Sequence, residues 1–207
     1  LCFEENFLKK IFNKIPNSNY QLIQNKNFSI FQLPSIFNSK RIIFVTDIYN
    51  TINFINNNSL NSYFISNCYW RWTNIINGIP EILNDTKEKF VPQMINLELL
   101  GGISFTKGCY PGQEIVARSQ YLGKFKRRMI LCSTNSKKAF PGMPVFSDLD
   151  SEQPCGMVVN SEKGPENNFD CLIEIKISFI KANLFLENIK GSKLVLKNLP
   201  YSLEKNF

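Results

Sequence analysis

The sequence predicts an α+β fold in two parts, a mixed helix-and-strand region over residues 1–121 and a small antiparallel β-barrel over 122–207. Three observations predict it. Phe3, Phe7, Leu8, Ile11, Phe12 and Ile15 recur at helical spacing, and a compact β-branched run at 41–46 leads through Asp47 into a second helical pattern. Beyond Leu122 and Gly123 the chain turns to short strand-like runs parted by Pro, Gly, Asn or Ser.

The first helix is stopped by Pro16 and the polar residues Asn17, Ser18 and Asn19. Residues 20–24 and 28–33 read as a strand pair around a turn at 25–27. Asp47 is placed to cap a helix over 48–55, and the Asn-rich loop at 56–61 carries no assignable chemistry. A helix over 68–79 offers Tyr69, Trp72, Ile75, Ile76 and Ile79 as its apolar face and ends at Gly78-Ile79-Pro80. The charged residues 85–89 read as exposed, and 94–100 as a short helix closed by Gly101. Barrel strands are expected at 128–132, 143–147, 155–160, 170–178 and 193–197. Cys171, Ile173, Ile175 and Ile177 alternate with Leu172, Glu174, Lys176 and Ser178, which predicts one buried and one largely wet face.

The most informative stretch is LGGISFTKGCYPGQEIVAR at 100–118. Gly108 permits a turn beside Cys109, and Pro111 suits the first position of a new helix. The amides of Gly112, Gln113 and Glu114 would then be unpaired first-turn donors facing the thiol, and Lys107 and Arg118 add positive charge that favours a thiolate. Glu114 and Arg118 stand one helical turn apart. A cysteine between glycines equally fits a small buried residue at a tight turn, and an acid-to-Arg pair equally fits a solvated helix bridge. Taken alone, the residues leave both readings open.

Composition bounds the rest. Forty-three per cent hydrophobic and 13% aromatic residues over 207 positions describe a globular chain. No apolar run is long enough to span a bilayer and no export leader is visible, so a soluble cytoplasmic protein is expected. There is no histidine and no CxxC pair among the six cysteines, which excludes a histidine general base and a zinc site of ordinary spacing. The formal charge of +7 permits a polyanionic partner without requiring one. Its densest run, Lys124, Lys126, Arg127 and Arg128, reads as a solvated segment at the start of a strand.

Residues 107–118, KGCYPGQEIVAR, resemble the signature of the YgfZ-type folate-binding proteins, which are similar to the aminomethyltransferase (T-protein) of the glycine cleavage system. KRIIFVTD at 40–47, the stretch from Trp70 through Pro80 to FVPQMINLELLGGISF at 90–105, and LPYSLE at 199–204 resemble the same family in order and spacing. The family has roughly a hundred further N-terminal residues, the usual scale of a folding unit. The chain opens at Leu1 without Met and is read as N-terminally truncated.

The resemblance implies an aminomethyltransferase-like folate-binding region followed by a C-terminal barrel. It implies tetrahydrofolate as ligand, held in part by Trp70, with Cys109 as the motif thiol alongside Lys107, Gly108, Tyr110, Gly112, Gln113, Glu114 and Arg118. An indole offers a flat face for a pterin ring, although an unaligned tryptophan at this position would equally be read as core. The implied role is an accessory protein for iron–sulfur enzymes, including those that thiolate tRNA, without conventional enzymatic activity. The alternative is a tetrahydrofolate-dependent one-carbon transferase of the glycine-cleavage type. A direct RNA-binding module would rest on net charge alone.

Overall fold

The computed structural model describes residues 2–3, 5–36, 39–58, 63–122, 125–136 and 138–203. Gly123, Lys124 and Glu204, which the sequence assigns to the domain junction, the basic run and the C-terminal motif, lie outside the described residues, as do residues 59–61 of the Asn-rich loop. Two compact units divide the chain, Leu1–Ser66 and Asn67–Phe207.

In the first unit, β1 (Cys2–Phe3), β2 (Leu22–Gln24), β3 (Phe28–Ile36) and β4 (Ser39–Thr46) form an antiparallel sheet in the order β1-β4-β3-β2. The turn between β2 and β3 is fixed by Asn25, whose Oδ1 accepts the amides of Asn27 at 2.8 Å and Phe28 at 2.9 Å. Helix α1 (Glu5–Ile11) is shorter than the periodicity predicts, yet Leu8, Phe12 and Ile15 are all buried with Ile30 and Ile42. The apolar period thus outlasts the helical hydrogen bonding. Helix α2 (Ile48–Asn58) begins at the predicted cap, where Asp47 Oδ1 accepts the Asn50 amide at 2.7 Å.

The second unit is a closed six-stranded antiparallel barrel dressed on its outside by helices. Its strands are β5 (Arg127–Thr134), β6 (Pro144–Ser147), β7 (Gly156–Lys163), β8 (Phe169–Lys176), β9 (Leu184–Leu186) and β10 (Lys193–Lys197), in the order β10-β5-β8-β7-β6-β9. Ile130, Cys132, Val145, Val158, Cys171 and Ile173 belong to its interior cluster. The expected wet face of β8 is in fact buried, because α3 (Asn67–Ile76) packs on β7 and β8. Leu172 there joins Ile75, Met129, Leu131 and Val159 in a second cluster, and Glu174 pairs with Arg127. Strand β9 has too few residues to show a period, and the sequence does not predict it.

The helix expected at 94–100 is replaced by a 3-10 turn, Pro92–Ile95, followed by Asn96 at φ 60°. A left-handed residue ends helical bonding, and Asn96 adopts it because its side chain serves the barrel: Nδ2 donates to Met129 O at 2.8 Å and Oδ1 accepts the Met129 amide at 3.3 Å. Helix α4 (Gln113–Leu122) packs against this turn, which itself packs on β5. The compact units part between residues 66 and 67, and the change from helices to barrel strands falls after α4.

Candidate functional site

The segment carrying Cys109 leads into α4. Its geometry is set by close-range contacts. Ser104 Oγ accepts the Lys107 amide at 3.2 Å, and Lys107 Nζ lies 4.8 Å from the centroid of the Tyr110 ring. Tyr110 and Gln113 bond reciprocally, the Tyr110 amide to Gln113 Oε1 at 3.4 Å and the Gln113 amide to Tyr110 O at 3.1 Å.

Helix α4 begins two residues later than a Pro111 start would place it. Gly112 sits at φ 81°, which a helical residue cannot adopt and a side chain would resist, so Pro111 and Gly112 make a turn and Gln113 opens the helix. The Gln113 amide is therefore engaged by Tyr110 O and is not an open first-turn donor. Cys109 is exposed four residues before the helix, beside exposed Gly108. No hydrogen bond joins its thiol to Lys107 or Arg118 among the described residues, and Glu114 and Arg118 are exposed on α4 without an ion pair between them.

What holds α4 in place is a buried polar chain that the sequence does not reveal. Arg128 on β5, its side chain 1% exposed, donates from Nη1 to Gln93 O at 2.9 Å and pairs with the buried Glu98 carboxylate. Gln93 Nε2 then donates to Val116 O in α4 at 2.7 Å. Two of the four residues of the basic run thus have structural partners, since part-buried Arg127 also pairs with Glu174; the expectation of a solvated segment fails for both because acids supplied by distant elements pair with them. Polar residues at 93, 96 and 98 inside the apolar run FVPQMINLELL were the only available signal.

The two tryptophans of α3 separate by face. Trp72 is buried, its indole N–H donating to Asp170 Oδ2 at 2.8 Å. Trp70 is half-buried, two residues earlier, with its carbonyl accepting the Thr73 hydroxyl at 2.7 Å. The structure links Lys107, Tyr110 and Gln113 within the segment that carries Cys109, while Trp70 stands on α3.

The described cysteines are free and fall into two chemical groups. Cys68 and Cys109 are exposed, with Arg71 Nη2 3.2 Å from the Cys68 sulfur. Cys132, Cys155 and Cys171 are buried in the barrel, and burial pushes all three thiols up, Cys171 to about 12. Among the described residues no cluster of three or more His, Cys, Asp or Glu could hold a metal, and no helix is long and apolar enough to cross a membrane.

No protein-family model matches the chain. It is 32% identical over 134 residues to the tRNA-modifying protein YgfZ of Yersinia enterocolitica, covering 64% of this chain and 39% of that protein. It is 35% identical over 133 residues to the protein of the same name from Colwellia psychrerythraea, covering 64% and 40%, and 36% identical over 123 residues to that of Hamiltonella defensa, covering 59% and 36%. The chain spans about two fifths of the length of the curated relatives it matches. It is a homologue of the YgfZ-type proteins over part of their length.

Proposed function

We propose that the chain acts in tRNA modification as a folate-binding accessory to iron–sulfur enzymes, with Cys109 as its working thiol and Trp70 as one wall of the folate site in an aminomethyltransferase-like region. The similarity to proteins named tRNA-modifying protein YgfZ supports the first element. The observation that carries the thiol's role is its exposure on a segment braced by Lys107, Tyr110 and Gln113, in a chain that buries three other cysteines. For folate, the support is that the α3 core uses the Trp72 indole and leaves Trp70 partly at the surface. A half-exposed indole fits stacking against a pterin, which would supply the one-carbon chemistry when bound.

Two measurements test the reading. Titration of tetrahydrofolate by calorimetry should show saturable binding that Trp70→Ala weakens. Losing about 100 Å² of apolar contact at ~25 cal/mol per Å² costs roughly 2.5 kcal/mol, close to a hundredfold in Kd. In bacteria lacking their own YgfZ, the chain should restore thiolated tRNA nucleosides and Cys109→Ala should not. Unchanged affinity in the first, or full activity of the Cys109 variant in the second, removes the corresponding element.

A further inference from the structure

The seam between β5 and β10 stops short. Val195, Leu196 and Lys197 pair with Ser133, Cys132 and Leu131, and the same register would set residue 198 opposite Ile130 and residue 199 opposite Met129. The chain instead leaves β5. Leu199 packs on the outer cluster, Leu203 packs on the barrel interior, and Tyr201 donates its hydroxyl to Gly78 O at 2.8 Å. Between β5, residues 177–181 and this departing segment lies a cavity of about 760 Å³.

That volume falls in the range of small-molecule sites, about 300–1,000 Å³, and barrel mouths are among their usual locations. Ile130, Ile177, Ile180, Leu196, Leu199 and Leu203 give it aliphatic walls. Among the described residues no acidic residue lines it, and its two cations differ: Lys197 is already paired with Asp170 at 2.7 Å, whereas Lys181 has no ion pair among the described residues. An added peptide strand is disfavoured, because both backbone groups of Met129 are taken by Asn96.

We propose that this barrel-mouth cavity binds an apolar carboxylate of the fatty-acid type, its hydrocarbon along Ile130, Ile180 and Leu196 and its carboxylate at Lys181. The site is independent of the reading given for Cys109 and Trp70. The test is calorimetry of the full chain with decanoate, alongside a cationic amphiphile of equal chain length. One decanoate should bind per chain, with the cation binding at least about tenfold more weakly. Lys181→Ala should weaken decanoate about two- to fivefold and Lys181→Glu further, as expected for one exposed charge. Leu196→Glu, at a half-exposed position, should abolish binding with the thermal melt retained. No saturable decanoate binding, equal affinity for the cation, or indifference to both Lys181 variants overturns the proposal. So does a fall in sedimentation mass on Leu196→Glu, which would make the cavity a contact between copies. Decanoate binding that emerges only after removal of residues 204–207 overturns it as well, assigning the cavity to the chain's own end.

Discussion

The indole N–H of Trp72 and the carboxylate of Asp170, 98 residues apart in sequence, meet at 2.8 Å in a buried contact that fastens α3 to β8. Lys197 Nζ, 2.7 Å from the other carboxylate oxygen, brings β10 into the same contact. One acid thus ties a helix and the last barrel strand to β8.

Trp72→Phe should therefore destabilise the second unit by more than its small volume change suggests. It removes a donor to a buried charged group, a loss of about 1.5–3 kcal/mol. Urea unfolding of the full chain measures it. A double-mutant cycle with Asp170→Ala should show non-additivity, since each substitution removes the same hydrogen bond; additive losses would mean the two side chains act separately.

Asn96 calls for a pair of variants. Asn96→Ala strips both partners from the Met129 backbone, costing about 1–3 kcal/mol per unpaired group, and replaces a residue that tolerates the left-handed region with one that does not, a further conformational loss. Asn96→Gly retains only the first cost. Denaturation should rank native above Asn96→Gly above Asn96→Ala, and both variants should aggregate sooner on heating because part of β5's edge is uncovered.

The buried thiols give the barrel an alkaline limit. Burial raises Cys171 to about 12 and moves Cys132, its direct cross-strand neighbour, in the same direction. A raised folded pKa contributes stability that is full below the unfolded thiol's value of about 8.5 and is lost as pH climbs towards the folded values. Above pH 9 the unfolded chain releases these protons while the folded barrel keeps them. Stability should then fall by at most about 2.7 kcal/mol per pH unit for two thiols. Melts between pH 7 and 11 check this, and Cys132→Ala with Cys171→Ala should flatten the slope even if they lower the plateau.

A fragment of residues 122–207 contains every barrel strand but lacks Glu98, Trp72 and Asn96, the partners of Arg128, Asp170 and Met129. Leaving a buried ion without its partner costs about 3–5 kcal/mol, a large share of a small domain's stability. The fragment should melt without cooperativity by circular dichroism, whereas residues 67–207 should melt as one unit.

Much of this architecture is legible locally. Asn25 and Asp47 act on amides within three residues, and Pro144 and Gly156 mark the starts of barrel strands, so the sequence predicts these features close to where they stand. The misses are non-local. Leu172 and Glu174 read as a wet face because their covers, Ile75 and Arg127, are supplied from 97 and 47 residues away in sequence. Asn96 reads as a helical residue because the backbone it serves, that of Met129, lies 33 residues further along the chain. At the candidate site the loop around Cys109 is readable from its glycines and proline. The start of α4 is not, because Pro111-Gly112 suits a first helical turn and a preceding turn alike.

The strand order also sets a timetable for a chain made from its N-terminus. β5 is the first barrel strand to be synthesised, yet both of its neighbours, β8 and β10, come later, and β10 closes the ring from positions 193–197. During elongation β5 must wait through some sixty residues with one side open. Asn96, already made, can cover Met129 throughout that interval, so the residue that finishes the seam in the folded protein can also shield the nascent strand from pairing with a neighbour on another ribosome.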